Sequence, residues 1–307
     1  MAIGTELYRK TLLTIAGNRA VRALTVKYGK RLASRFIAGQ QLPKALFQVK
    51  ELNKKGIMAT LDHLGEGIRQ LPEAEAYRDA YIRLLDGIAD KGVASNVSLK
   101  PTQMGLALDR EACYRNIRAV ARHAASIGNF VRLDMEDSPY TDATLDIVRR
   151  LHAEGLRNVG TVLQAYLRRT ASDTERCIDD GISLRLVKGA YKEPSSIAYQ
   201  RKDEVAQQFK HMIRLHLDQG VYTAVATHDD AIIRYVKRYA LERRIPKSAF
   251  EFQMLYGLRM NEQANLAREG YRIRCYVPYG EMWYPYYTRR LAEKPANLWL
   301  VLRNMFR

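Results

Sequence analysis

Several polar clusters in this chain have the residue types and spacing for chemistry. Asp134, Glu136 and Asp137 are close enough in sequence to supply a paired acid and base. Alternation along an extended strand puts Asp134 and Glu136 on one side and Met135 and Asp137 on the other, so at most one or two reach a common centre. Asp137, followed by Ser138 and Pro139, reads instead as a helix start. Lys100 could be a Schiff-base lysine; an ion pair, with Asp134 as counter-charge, is the simpler reading. His228-Asp229-Asp230 could ligate a metal, although a capping role needs fewer assumptions. The six histidines are scattered, with no H-E-x-x-H and no pair at ligand spacing, so no protein-bound metal is expected. Arg289-Arg290 follow the aromatic stretch Trp283, Tyr284, Pro285, Tyr286, Tyr287. Adjacent guanidiniums can grip one carboxylate in bidentate fashion, but a dibasic step on a helix also reads as plain surface. Neither G-x-G-x-x-G nor G-x-x-x-x-G-K-[ST] is present, so any dinucleotide is held by something other than a Rossmann or P-loop site.

The elements that must carry these residues alternate. β-rich runs are predicted at Ile57–Leu61, Ala94–Leu99, Phe130–Asp134, Val159–Leu163, Ser183–Val187, Tyr222–Ala226, Phe250–Met254 and Tyr271–Val277. Between them lie stretches with helical apolar spacing: Pro72–Lys91, Arg110–Ile127, Thr141–Glu154, Asp203–Gln219, Ala231–Arg244 and Glu262–Arg268, with Thr170–Gly181 as the connection between the fourth and fifth runs. Gly92, Gly128, Gly155, Gly181, Gly220 and Gly270 stand where helix-terminating glycines belong. Eight β-then-α units over about 250 residues is the arithmetic of an α/β (βα)8 TIM-type barrel. A doubly wound sheet shares the alternation, because strand order is not written in one sequence. Barrel chemistry collects where strands end, and charged or polar residues stand at seven of the eight predicted ends. That pattern favours an enzyme over a binding scaffold.

The chain has 307 residues and a net charge of +17, with 47% hydrophobic residues. Such a chain can bury a large core, which excludes disordered, collagen-like and disulfide-stapled classes. The charge is uneven. Residues 1–56 hold twelve Lys/Arg against Glu6 and Glu51, a net of +10. They read as a basic N-terminal helical extension, with residues 57–307 as the catalytic barrel. The extension's charge fits a solvated face or a surface for anionic lipid headgroups; nothing accompanies it that would suit nucleic acid. Serine is too scarce there for a transit peptide. No apolar run approaches the roughly 18 residues of a membrane span. Cys113, Cys177 and Cys275 are odd in number and widely spaced, which suits small core residues in a reducing, cytoplasmic compartment. From residues alone, this is a basic barrel enzyme acting on an anionic small molecule.

At its strand ends the sequence resembles the proline dehydrogenase family of flavoenzymes. The matching stretches are Val131-Arg132-Leu133-Asp134-Met135-Glu136-Asp137, Val162-Leu163-Gln164-Ala165-Tyr166, Arg185-Leu186-Val187-Lys188-Gly189-Ala190-Tyr191, Ala226-Thr227-His228-Asp229, Phe250-Glu251-Phe252-Gln253 and Tyr276-Val277-Pro278-Tyr279-Gly280, then Tyr287-Thr288-Arg289-Arg290. They occur in the family's order from about residue 57 onward, and residues 1–56 match it poorly. The length resembles the monofunctional bacterial form. The resemblance implies a distorted (βα)8 barrel binding FAD without a Rossmann fold. It implies oxidation of L-proline to 1-pyrroline-5-carboxylate, with hydride passing from C5 to flavin N5, as the first step of proline catabolism. By resemblance, Arg289 and Arg290 hold the substrate carboxylate, Lys100 and Asp134 are active-site residues, and Arg185 lies near flavin N5. Leu186, Tyr191 and Tyr276 would enclose the proline ring. Met135, Gln164, Lys188, Gly189, Ala190, Thr227, His228, Gln253 and Glu293 would hold or touch the cofactor. The family's partners imply a membrane quinone as electron acceptor, peripheral attachment to the inner face of the cell membrane, and a separate pyrroline-5-carboxylate dehydrogenase. Two other classes stay open on the residues alone: a (βα)8 lyase or aldolase using Lys100 or Lys188, and a non-enzymatic basic binding protein.

Overall fold

Short runs rich in β-branched and aromatic residues, each followed by a helix that buries one face, close on themselves here. The computed structural model describes residues 35–293 except 66 and 220, together with residues 11, 12, 14, 16–19, 21 and 25. The strands are β1 Met58–His63, β2 Ser95–Leu99, β3 Val131–Leu133, β4 Val159–Gln164, β5 Leu184–Val187, β6 Thr223–Ala226, β7 Phe250–Leu255 and β8 Arg272–Tyr279. They form a closed parallel barrel in chain order, β8 pairing with β1 through registers such as Thr60 with Tyr276. This is the expected (βα)8 architecture. The helices are α1 Leu42–Asn53, α2 Leu71–Lys91, α3 Arg110–Ser126, α4 Thr141–Ala153, α5 Thr170–Asp179, α6 Lys202–Asp218, α7 Asp230–Glu242, α8 Met260–Arg268 and α9 Trp283–Glu293. No described helix is long and apolar enough to cross a membrane.

Every predicted strand is present, with ends shifted by one or two residues. Of the predicted terminating glycines, Gly92, Gly128, Gly155, Gly181 and Gly270 have positive φ, while Gly220 lies outside the described residues. β8 runs through Pro278, whose carbonyl accepts from Ala38 N at 2.9 Å, so the strand is two residues longer than its apolar pattern. The helix Leu42–Asn53 was expected to belong to the basic extension. It is instead part of the barrel wall: Ala45, Leu46, Val49 and Leu52 lie in the main core, and Asn53 accepts from Ala94 N at 2.7 Å. Most of the extension before residue 35 lies outside the described residues, although Leu12 and Ala16 pack against the cluster around α9. The three cysteines are free and buried.

The lumen is unusual for a barrel. Such interiors are ordinarily filled by Val, Ile and Leu. Here the lower layer is ionic. Arg132 donates to Thr161 O at 3.0 Å and Ser183 O at 2.6 Å, and Arg274 Nε pairs with Glu251 Oε1 at 2.8 Å. Tyr222 adds a hydrogen bond to Glu251 Oε2 at 2.8 Å. Arg185 links this layer to the site above it through Gln253.

His216 on α6 is fully buried, its Nδ1 2.5 Å from Thr223 Oγ1, and burial holds the imidazole down at about 4. The unfolded chain takes up this proton near pH 6.5, the native one only near 4. The contribution to stability is complete above 6.5 and is lost as pH falls towards 4, by about 3 kcal/mol. Urea unfolding of wild type and His216→Gln across that range is expected to show the loss only in wild type. Parallel pH dependences would mean that the ring is hydrated.

Candidate active site

The C-terminal ends of the strands bring most of the expected residues into one bowl. Asp134 is its hub. It follows β3 directly, and its N–H still pairs with Leu99 O at 2.8 Å, which holds the residue in extension of the strand. Oδ1 accepts from Ser98 Oγ at 2.7 Å and from Arg185 Nη1 at 2.6 Å; Oδ2 accepts from the Tyr276 hydroxyl at 2.8 Å. These partners stand on β2, β5 and β8, so the carboxylate ties three strands across the lumen. Arg185 also donates from Nε to Gln253 Oε1 at 2.6 Å and lies over the Tyr276 ring at 5.3 Å. Burial, reinforced by the Asp134 charge, pushes the Tyr276 hydroxyl well above its ordinary range. The phenol is therefore a fixed hydrogen-bond donor.

Lys100 ends β2. The ion pair expected with Asp134 is drawn differently: Lys100 Nζ is 3.3 Å from Asp62 Oδ2, and Asp134 is taken by Arg185. Barrel closure explains this, because β1 and β2 are neighbours and Asp62 is in register with Ser98, two residues before Lys100. Glu136 accepts from Thr102 N at 2.9 Å and Thr102 Oγ1 at 2.6 Å, capping the turn Pro101–Met104, and burial raises its carboxyl. It is a structural acceptor rather than half of an acid–base pair. Asp137 precedes the short turn Ser138–Tyr140, and α4 starts only at Thr141.

Leu186 does not line the bowl. Arg185 points into the lumen, so its neighbour points outward, and Leu186 is fully buried in the core between sheet and helices. The apolar side chain on the lumen face is Leu255, which alternates with Glu251 and Gln253 along β7 and is in register with Tyr276. The expected β7 run stops at Met254, so Leu255 fell outside it. Tyr191 is 39% exposed; burial first, then the Glu136 charge, raises its hydroxyl, which also feels Lys100 and Arg289. The bowl thus gathers Lys100, Asp134, Tyr191 and Arg289 within electrostatic reach of one another.

Arg289 and Arg290 ride on α9. Trp283, Tyr284, Tyr286, Tyr287 and Leu291 bury that helix against Phe36, Ile37 and Leu64. Each such side chain contributes about 1.5–3 kcal/mol of burial, so the guanidiniums stand on a rigid base. Arg290 lies over the Tyr286 ring at 5.3 Å. The side chain of Glu293 lies outside the described residues.

The other rim, over β4 to β7, offers a polar cradle. Gln164 Nε2 donates to Glu136 O at 2.9 Å; Thr227 Oγ1 accepts from Asp229 N at 3.1 Å; His228 Nε2 accepts from Leu255 N at 3.1 Å, which places the ring proton on Nδ1. Lys188 pairs with Asp229 at 2.6 Å and holds that carboxyl below its usual range. Asp229 also caps α7 through Ala231 N at 2.9 Å, and Asp230 pairs with Arg259, so these aspartates have structural work. Gly189 has φ 117°, and a Cβ there would meet the Tyr166 ring at 2.1 Å. Only glycine fits, because the Tyr166 ring packs directly against the Lys188-Gly189-Ala190 turn. Met135 is buried with the apolar core. Cations, amides, a hydroxyl and a bare backbone turn are a donor set suited to a phosphate-bearing, planar cofactor.

The family profile described as proline dehydrogenase matches residues 45–301. Proline dehydrogenase 1 of Bacillus subtilis is 42% identical over 302 residues, covering 98% of this chain and all of that protein. Proline dehydrogenase of Deinococcus radiodurans is 42% identical over 306 residues, covering 98% and 99%. These similarities cover almost the whole chain, so they take in most of residues 1–56, whose sequence shows little of the family's motifs. The structure of proline utilization A from Bdellovibrio bacteriovorus, inactivated by N-propargylglycine, superposes with a TM-score of 0.82 at 26% identity, over 89% of this chain and 33% of that one.

Proposed function

This chain belongs to the proline dehydrogenase family and is an oxidoreductase, and on that premise we propose FAD-dependent oxidation of L-proline to 1-pyrroline-5-carboxylate at the bowl around Asp134. The observation that carries the proposal is the Asp134 hub, which fixes Arg185 and Tyr276 below the helix bearing Arg289 and Arg290. Arg289 and Arg290 bind the substrate carboxylate, with Lys100 adding a third positive charge. Tyr276, Leu255 and Tyr191 enclose the ring and exclude water. Arg185, Gln164, Lys188, Gly189, Ala190, Thr227, His228 and Gln253 hold the FAD, with Met135 and Glu293 as outlying contacts. FAD, when bound, would supply the two-electron acceptor for the hydride that leaves proline C5. Arg185 places a fixed cation beside the site where negative charge develops.

The test is the visible absorption spectrum before and after anaerobic addition of L-proline. A flavin spectrum that bleaches is expected. A flavin that stays oxidised would reopen the substrate; a colourless protein that FAD does not restore would overturn the reading. Selectivity gives a second check. The Tyr276 hydroxyl is pinned to Asp134, and in the proposed pose it would crowd a 4-hydroxyl on proline. kcat/KM is expected to favour proline over 4-hydroxyproline, and Tyr276→Phe to narrow the ratio by about tenfold. Comparable values in wild type would refute this.

Electrons then pass to a quinone, and a separate pyrroline-5-carboxylate dehydrogenase takes up the labile product. The basic residues 1–56 support peripheral attachment to the inner face of the cell membrane. Sedimentation with anionic liposomes is expected at low salt and not at high salt. Protein left in the supernatant at low salt would end that proposal.

A further inference from the structure

Asp62, at the end of β1, is the most deeply buried carboxylate near the bowl, with 1% of its side chain exposed. Its described partners are Lys100 Nζ at 3.3 Å and the Tyr81 hydroxyl at 3.4 Å. Tyr81 has one proton, and its closest acceptor is Ser98 O at 2.8 Å. The Tyr81 hydroxyl oxygen itself accepts from His63 N at 3.2 Å, so Tyr81 locks the ends of β1 and β2 together and does little for the Asp62 charge. A carboxylate so deeply buried needs a cation. Lys100 supplies it, with 16% of its own side chain exposed towards the bowl.

We infer that Asp62 is the positioning residue for Lys100: it anchors the ammonium at the end of β2 and keeps it aimed at the substrate carboxylate beside Arg289. This rests on the proposed proline oxidation. The site is otherwise crowded with positive charge from Arg185, Arg289 and Arg290. Asp134 has no room for the ammonium, because its two oxygens already hold Arg185, Ser98 and Tyr276. Asp62 lets the two ion pairs stand side by side.

The test compares Asp62→Asn, Lys100→Met and the double variant as purified holoenzymes, by steady-state kinetics with L-proline and by thermal unfolding. Asp62→Asn is expected to raise KM by roughly tenfold, with kcat changed only a few-fold. Lys100→Met is expected to raise KM similarly. The double variant should be no worse than Lys100→Met, because Asp62 acts through the lysine. In unfolding, Lys100→Met should be the least stable of the set, since it leaves Asp62 buried without a cation, and removing Asp62 as well should restore part of the loss. Additive effects on KM, or an Asp62→Asn enzyme indistinguishable from wild type, would overturn the inference. If Asp62→Asn does not fold, Lys100→Met against the double variant decides, and a double variant no more stable overturns it. Wild type that fails to oxidise proline would instead sink the functional reading, and the stability comparison would still report on the pair.

Discussion

Replacement of Asp134 by alanine is expected to lower kcat/KM for L-proline by about 10²–10³-fold, mostly in kcat, while the protein still carries flavin. The reason is geometric. One carboxylate fixes Ser98, Arg185 and Tyr276 from three strands. Without it Arg185 keeps Gln253 and Ser98 but loses its only ion-pair partner among the described residues, and the Tyr276 hydroxyl loses its acceptor. The cation beside the electron acceptor and the wall beside the substrate ring loosen together. The guanidinium, with 6% of its side chain exposed, is left uncompensated, so stability should fall by about 3–5 kcal/mol. Asp134→Asn keeps the shape and two acceptor lone pairs and should fall between the two. Stopped-flow reduction by proline, with flavin content and urea midpoints measured on the same preparations, checks all three statements. Unchanged reduction in Asp134→Ala would remove this residue from the mechanism.

The second large effect belongs to α9. Arg289→Met and Arg290→Met are each expected to raise KM for proline by about 10–100-fold with smaller changes in kcat, since each removes a charge-assisted hydrogen bond to the carboxylate. The double variant should be worse than either. Folding should suffer less than binding, because Trp283, Tyr284, Tyr287 and Leu291 bury α9 against its neighbours. Pyrrolidine, which is proline without the carboxylate, should lose little in these variants. An unchanged KM for proline would show that the dibasic step is plain surface.

Much of this was legible in the sequence, and what was not has a common cause. The eight strands followed from apolar runs punctuated by glycine, and the charged strand ends marked the rim. Which charges meet was not legible, because it depends on register and closure. Lys100 and Asp134 look like partners along the chain, but β1 closing beside β2 brings Asp62 to the lysine and leaves Asp134 to Arg185 from across the lumen. The signal for Asp62 was a charged residue just after the first predicted strand. The resemblance sets Leu186 beside the substrate ring, but alternation with Arg185 turns it outward into the core, and the same alternation along β7 brings Leu255 to the lumen. Helix α1 was assigned to the extension on its charge, although Ala45, Leu46, Val49 and Leu52 have the spacing of a buried helical face.

The ionic lumen has a thermal consequence. Unfolding a barrel filled with Val, Ile and Leu exposes apolar surface and raises the heat capacity, whereas exposing polar surface lowers it. The Arg132, Glu251 and Arg274 layer therefore subtracts from the heat-capacity increment generated by the outer shell of helices. A smaller increment flattens the curve of stability against temperature. The cost of dehydrating those charges also shrinks on heating. Per residue buried, the centre of this barrel loses less of its stabilising effect on warming than an oily core of the same volume would.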